Sequence, residues 1–239
     1  MPTARQSLLE AAHTAVRKQP WTGVRMVDVA ARAGVSRQTL YNEFGSKEGL
    51  GAALVDGLVQ GFLDGAAEAA RAARRRGAGP AGCCSAAADW MLRAAHEEPI
   101  VRAALTGCWT PRMPLPAPVR RVRPGGLPAD PGELATVLCE RTREGLPSLD
   151  GDLPQDAERG GPETARAYEV GLRVALSYVV APSRDESRAA AQPERAERGG
   201  RGEPGEPGEW GEPGERGPRG YEEPCGRVYE VVRALLATP

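Results

Sequence analysis

The chain has 239 residues and a formal net charge of −1, with 41% hydrophobic and 26% charged residues. That is enough for one or two globular domains with a real core. It excludes a bulk polycation that coats nucleic acid or anionic lipid, so any such contact must come from a local patch.

Aromatic residues are scarce at 5%, so the core must rest on Ala, Leu and Val. Leu8, Leu9, Ala12 and Val16 recur at helical spacing and predict a first helix over 3–19, stopped by Pro20. Trp21 is expected as a plug under the next helix. Two short helices follow at 26–33 and 37–44, separated by Gly34-Val35-Ser36, with Ser36 in position to cap the later one. Gly45-Ser46 breaks the chain again, and Ser46 caps a long helix from Lys47 to about Arg75. Its apolar stripe is Leu50, Leu54, Leu58 and Phe62. Gly57, Gly61 and Gly65 also step by four, which either lets a neighbour approach closely or has no role.

Residues 77–82 read as a linker, then helical segments as 83–97, 99–107, 132–145 and 163–181. The stretches 110–132 and 147–162 read as loop. Residues 192–224 hold nine Gly and six Pro, with Gly at every third position from 199 to 220 and a charge of −4. The period is that of collagen, but it covers few triplets, and the expectation is a disordered acidic insertion. A last helix at 226–237 carries Val228, Val231, Val232, Leu235 and Leu236 on one stripe. No segment alternates as a strand would, so the predicted fold is all-α.

Chemistry-bearing motifs are few. The five cysteines (Cys83, Cys84, Cys108, Cys139 and Cys225) show no CxxC spacing, and a zinc ribbon or redox pair is not expected. His13 and His96 read as helix-surface residues rather than ligands. No nucleophile–base set, phosphate loop or metal motif stands in context, so neither enzyme activity nor a cofactor is expected. No membrane span or signal peptide is read, and the expected location is cytoplasmic.

The informative stretch is 26–45. A helix-turn-helix needs a small residue where its helices cross, a turn residue tolerant of positive φ, and apolar anchors under the second helix. Ala30, Gly34, Val35 and Leu40 supply these in order. The second helix then presents Arg37, Gln38, Thr39, Tyr41 and Asn42 to a major groove about 12 Å wide. Arg pairs bidentately with guanine, Gln or Asn with adenine, and Tyr or Thr hydroxyls reach phosphate. Lys47, at the start of the next helix, is placed for a phosphate. Residues 1–50 carry seven Lys/Arg against four acids. The competing expectation is two packed core helices, with Tyr41 and Phe44 buried and Arg37 a solvated charge.

The run from Val27 to Leu50 combines the AGVS turn, the LYNEF helix and the SKEGL start of the fourth helix in register. Over about 5–55 the chain resembles the TetR/AcrR family of transcriptional regulators. The resemblance implies a DNA-binding set of Arg25, Ser36, Arg37, Gln38, Thr39, Tyr41, Asn42 and Lys47. Tyr41 and Lys47 would hold the DNA backbone, while Arg37, Gln38, Thr39 and Asn42 would face bases. Arg25 departs from the family, which has a capping Thr there. Arg25 could still reach a phosphate, and Thr22 is the expected substitute cap.

The implied architecture is an N-terminal helix-turn-helix domain over 1–46, then a helical effector-binding and dimerisation domain over 47–191 and 225–239. The last two helices would pair with their copies in a homodimer. Trp90, Met91, Cys108, Trp109 and Met113 are the candidate lining for an apolar or aromatic effector. The implied function is a homodimeric repressor of a double-stranded DNA operator, released by that ligand. A ligand-independent activator or architectural DNA binder, or an enzyme with an appended helix-turn-helix, are the competing classes.

Overall fold

A computed structural model describes residues 2–116, 130–144, 160–181 and 222–237. The described residues hold nine α-helices and one 3-10 turn, and no strand. In chain order these are α1 (Ala4–Lys18), the 3-10 turn Trp21–Gly23, α2 (Met26–Arg32), α3 (Arg37–Phe44), α4 (Lys47–Arg75), α5 (Pro80–Glu97), α6 (Pro99–Thr106), α7 (Pro131–Arg143), α8 (Gly160–Val180) and α9 (Glu222–Ala237). Residues 192–221, nearly all of the Gly/Pro-rich insertion, lie outside the described residues, as do most of the two predicted loops. No described helix is long and apolar enough to cross a membrane.

Several helix starts precede the sequence expectation, two of them well inside segments read as linker or insertion, for the same reason. Helix α5 begins at Pro80, inside the predicted linker, and α9 begins at Glu222, inside the predicted insertion. Proline is tolerated in a first helical turn, where its missing N–H would have no partner anyway. Pro80 and Pro224 therefore belong to helix starts rather than to breaks.

The chain divides into two compact units, Met1–Asp64 with Glu98–Val137, and Gly65–Glu97 with Leu138–Pro239. In the first, α1, α2 and α3 pack against one another around fully buried Leu8, Ala12, Val29 and Leu40. Thr3 and Gln6 form a reciprocal capping box at the start of α1. His13 is not a free surface residue. Its Nε2 lies 2.6 Å from Glu98 Oε2, and Glu98, only 2% exposed, also caps α6 by accepting from the Ile100 N–H. A carboxylate so far from water needs such partners.

In the second unit α5, α8 and α9 pack mutually. Gly171 of α8 marks the crossing. A Cβ there would come 2.4 Å from Val232 of α9 and 2.8 Å from Cys84 of α5. Ser85 Oγ donates to the Cys225 carbonyl at 3.0 Å and ties α5 to the first turn of α9. Cys83, Cys84 and Cys139 are buried free thiols, and burial pushes the Cys139 thiol up to about 11.

The glycine ladder of α4 divides cleanly. A Cβ at Gly57 or Gly61 would meet nothing within 4 Å, whereas one at Gly65 would sit 2.0 Å from the Trp90 indole. Only Gly65 admits a close neighbour. Gly57→Ala and Gly61→Ala should therefore each raise the unfolding free energy by up to ~1 kcal/mol through better helix propensity. Gly65→Ala should lower it by ~1–3 kcal/mol, because Trp90 must move. Urea melts of the three variants check the opposite signs.

Candidate nucleic-acid interface

The interface is built from the turn outward. Helix α2 ends at Arg32 with Ala33 as its C-cap, and Gly34 follows at φ 69°. The Gly34 N–H reaches the Ala31 carbonyl at 3.2 Å, and the Val35 N–H reaches Ala30 at 3.1 Å. These two bonds make a Schellman stop, which requires the left-handed residue that glycine supplies without strain. Ser36 then caps α3, its Oγ accepting from the Thr39 N–H at 3.0 Å. A cap of this type contributes about 0.5–2 kcal/mol. Gly45, at φ 71°, ends α3, and Ser46 Oγ accepts from the Gly49 N–H at 3.1 Å to start α4. A Cβ at Gly49 would lie only 2.1 Å from the Phe44 carbonyl oxygen, so the tight passage from α3 to α4 needs glycine there.

Leu40 is 0% exposed and anchors α3. Arg37, Gln38, Tyr41 and Asn42 are exposed, and Thr39 is half-buried. Tyr41 is 49% exposed, against the expectation for two core helices. Gln38 Nε2 donates to Asn42 Oδ1 at 2.9 Å, so the two amides are joined along one edge of the helix. Among the described residues Arg37 makes no ion pair. Arg5 of α1 crosses to α3, its Cζ 4.7 Å from the Phe44 ring centroid and its Nη1 3.7 Å from Glu43.

Two of the expected phosphate contacts are already engaged. Arg25 stands at the N-cap of α2 without a side-chain cap bond. It binds Asp28 with two hydrogen bonds, Nε to Oδ2 at 2.8 Å and Nη2 to Oδ1 at 3.2 Å, and this pairing raises the Arg25 pKa. Lys47 Nζ donates to the Thr22 backbone carbonyl at 3.2 Å and lies 5.3 Å over the Trp21 ring. Thr22, the expected substitute cap, thus gives its carbonyl to Lys47. Trp21 packs against Gly51 of α4, one turn along from Lys47.

Residues 8–54 match the family model of the bacterial regulatory proteins of the tetR family. The chain carries the N-terminal domain of the TetR family. Its curated relative, the HTH-type transcriptional regulator AlkX of Mycobacterium tuberculosis, is 48% identical over 46 residues, which cover 19% of this chain and 22% of that protein. The chain thus matches about a fifth of that relative's length. Two solved structures are similar in course. The TetR family repressor AlkX from Dietzia sp. strain DQ12-45-1b, implicated in biodegradation of n-alkanes, is 17% identical, with a TM-score of 0.46 over 98% of this chain and 95% of that one. A tetR family transcription regulator from Shewanella sp. PV-4 is 20% identical, with a TM-score of 0.41 over 80% of this chain and 90% of that one.

The candidate effector residues come from both compact units. Trp90 and Met91 belong to the second unit, and Cys108, Trp109 and Met113 to the first. Met91 is fully buried, Cys108 is exposed, and Trp109 and Met113 are half-buried. Sequence reasoning passed over Arg5, Gly49 and the pair His13–Glu98. The TetR-domain run does contain Gly49, but the other three act through partners distant in sequence and leave no local signal.

Proposed function

We propose that the chain is a sequence-specific DNA-binding transcriptional regulator: a homodimeric repressor that holds a double-stranded operator and is released by an apolar or aromatic small molecule. One observation carries the DNA reading. Helix α3 buries Leu40 and leaves Arg37, Gln38, Tyr41 and Asn42 to water, which is the division of labour a recognition helix requires. The match of residues 8–54 to the TetR family supports it, as does the regulator name of the curated relative over the same stretch.

Two turns of helix read few base pairs, and a symmetric pair reading two half-sites about 34 Å apart restores selectivity. Helices α8 and α9 offer the surface for pairing. Val228 and Val232 of α9 are buried within one subunit, while Tyr229 and Leu235 are 41% and 43% exposed and Val180 of α8 is 65% exposed. Effector control would run along α4, a single 29-residue helix that starts at Lys47 beside the recognition helix. A ligand shifts the balance only by binding one state more tightly than the other.

Arg37→Ala should weaken operator binding by ~1–3 kcal/mol and relax base preference, while leaving affinity for random DNA nearly unchanged. Equal losses on operator and random duplexes would remove base readout from Arg37. Leu235→Glu should shift the chain toward monomer in sedimentation velocity and lower operator affinity with it. Among small apolar compounds that raise the melting temperature, at least one should weaken operator binding. If every stabilising compound leaves the operator complex intact, ligand release is wrong.

A further inference from the structure

Lys47 is held before any DNA arrives, by the Thr22 carbonyl and by the Trp21 ring. We infer that Trp21 is a positioning residue for a Lys47–phosphate contact, and that the chain following α6 builds the seat in which Trp21 sits. The inference rests on the DNA-binding reading above and goes beyond it.

The ammonium of Lys47 has two neutral partners. It donates to the Thr22 carbonyl at 3.2 Å and lies over the Trp21 ring at 5.3 Å from the centroid, within the range in which an aromatic face attracts a cation. Neither partner neutralises it, so the full charge stays available, with further N–H donors for a phosphate. A free lysine side chain would lose considerable rotamer freedom on meeting a phosphate. Here much of that freedom is already spent.

The ring itself cannot swing away. Trp21 is 9% exposed. A Cβ on Gly51 would lie 2.9 Å from its Cζ2 and 3.0 Å from Pro114 Cβ, so the indole lies close against α4 at Gly51, and Pro114 of the chain after α6 reaches the same glycine. The Trp21 backbone N–H donates to the Arg112 carbonyl at 2.7 Å and ties the residue, rather than the ring itself, to the chain after α6. Arg112 and Pro114 follow α6 in sequence and come from the same compact unit as Trp21, Lys47 and Gly51. A displacement of this connection would loosen the indole, and with it the lysine.

The composition makes the test direct, because Lys18 and Lys47 are the only lysines of the chain. Dimethylation with ¹³C-formaldehyde keeps the charge and one N–H on each lysine and also labels the α-amine, and Lys18→Arg and Lys47→Arg assign the two lysine resonances. In the intact protein without DNA, the Lys47 methyl resonance should lie upfield of that of Lys18 through the indole ring current. Coincident resonances would overturn the seat. Binding to a random 30-base-pair duplex is then followed by fluorescence anisotropy over a salt series.

Lys47→Met should reduce the salt slope by about 0.9, the loss of one phosphate contact. Trp21→Leu should do the same, the double variant should lose no more than either single one, and Trp21→Phe should restore the slope. A Trp21→Leu protein that folds by circular dichroism yet keeps the wild-type slope overturns the proposal. If Trp21→Leu does not fold, the wild-type resonance and the Trp21→Phe slope decide it. A wild-type chain with no salt-dependent DNA binding at all would instead overturn the DNA-binding reading, whatever the resonances show.

Discussion

An eight-residue helix does not stand alone in water. Nucleation is costly, and isolated helices of fewer than ~12–15 residues are marginal even with favourable sequences. Helix α3 has eight residues, so every function assigned to it depends on what fastens it down. The burial of Leu40 is the chief fastening, worth about 1.5–3 kcal/mol for a side chain of that size. The Ser36 cap, the left-handed Gly45 and the Arg5 bridge to Phe44 and Glu43 complete it. Because one apolar side chain and both helix ends supply the stability, the remaining positions are free to carry polar groups outward. A longer helix with a wide apolar stripe would have left fewer such positions.

The parts of the fold that the sequence showed are those decided locally. Ser36 and Ser46 cap the helices expected of them, Gly34 adopts the positive φ that its turn requires, and α4 runs over Lys47–Arg75 as the periodicity predicts. Each of these depends on residues within about four positions of one another. What stayed hidden depends on distant partners. The Trp21 backbone meets Arg112 and its ring meets Gly51, His13 meets Glu98, and Gly65 receives Trp90. Nothing near Trp21 or His13 in the chain announces these partners. The three stepped glycines show the limit well, since identical spacing gives two open positions and one close contact. Only the fold decides which.

The apolar candidates divide for a similar reason. A tryptophan or methionine on a helix carries the same signal whether it fills a core or lines a cavity. Met91 is core by burial, and Trp90 is fixed by the missing Cβ of Gly65. The polar candidates of α3 were more legible because a cap and an anchor on either side dictate which way each side chain points. Site residues are readable in a sequence to the extent that local geometry orients them. Ligand pockets, assembled from several helices, are not.

Net charge understates how the cations of the first fifty residues differ. Arg5 and Arg25 each face a carboxylate, Glu43 and Asp28 respectively. A phosphate approaching either must compete with that carboxylate, and the carboxylate itself repels it. Both pairs are exposed, so the competition is modest, but its sign opposes DNA. Arg37 has no ion pair among the described residues, and Lys47 is held by a carbonyl and a ring. Under the proposed function these two would meet a duplex with their charge intact, one from α3 and one from the start of α4. A base edge needs a guanidinium that is free to turn, whereas a phosphate is served by an ammonium already in place. Arg37, with no ion pair among the described residues, meets the first condition and Lys47 the second, as the proposed function asks of each.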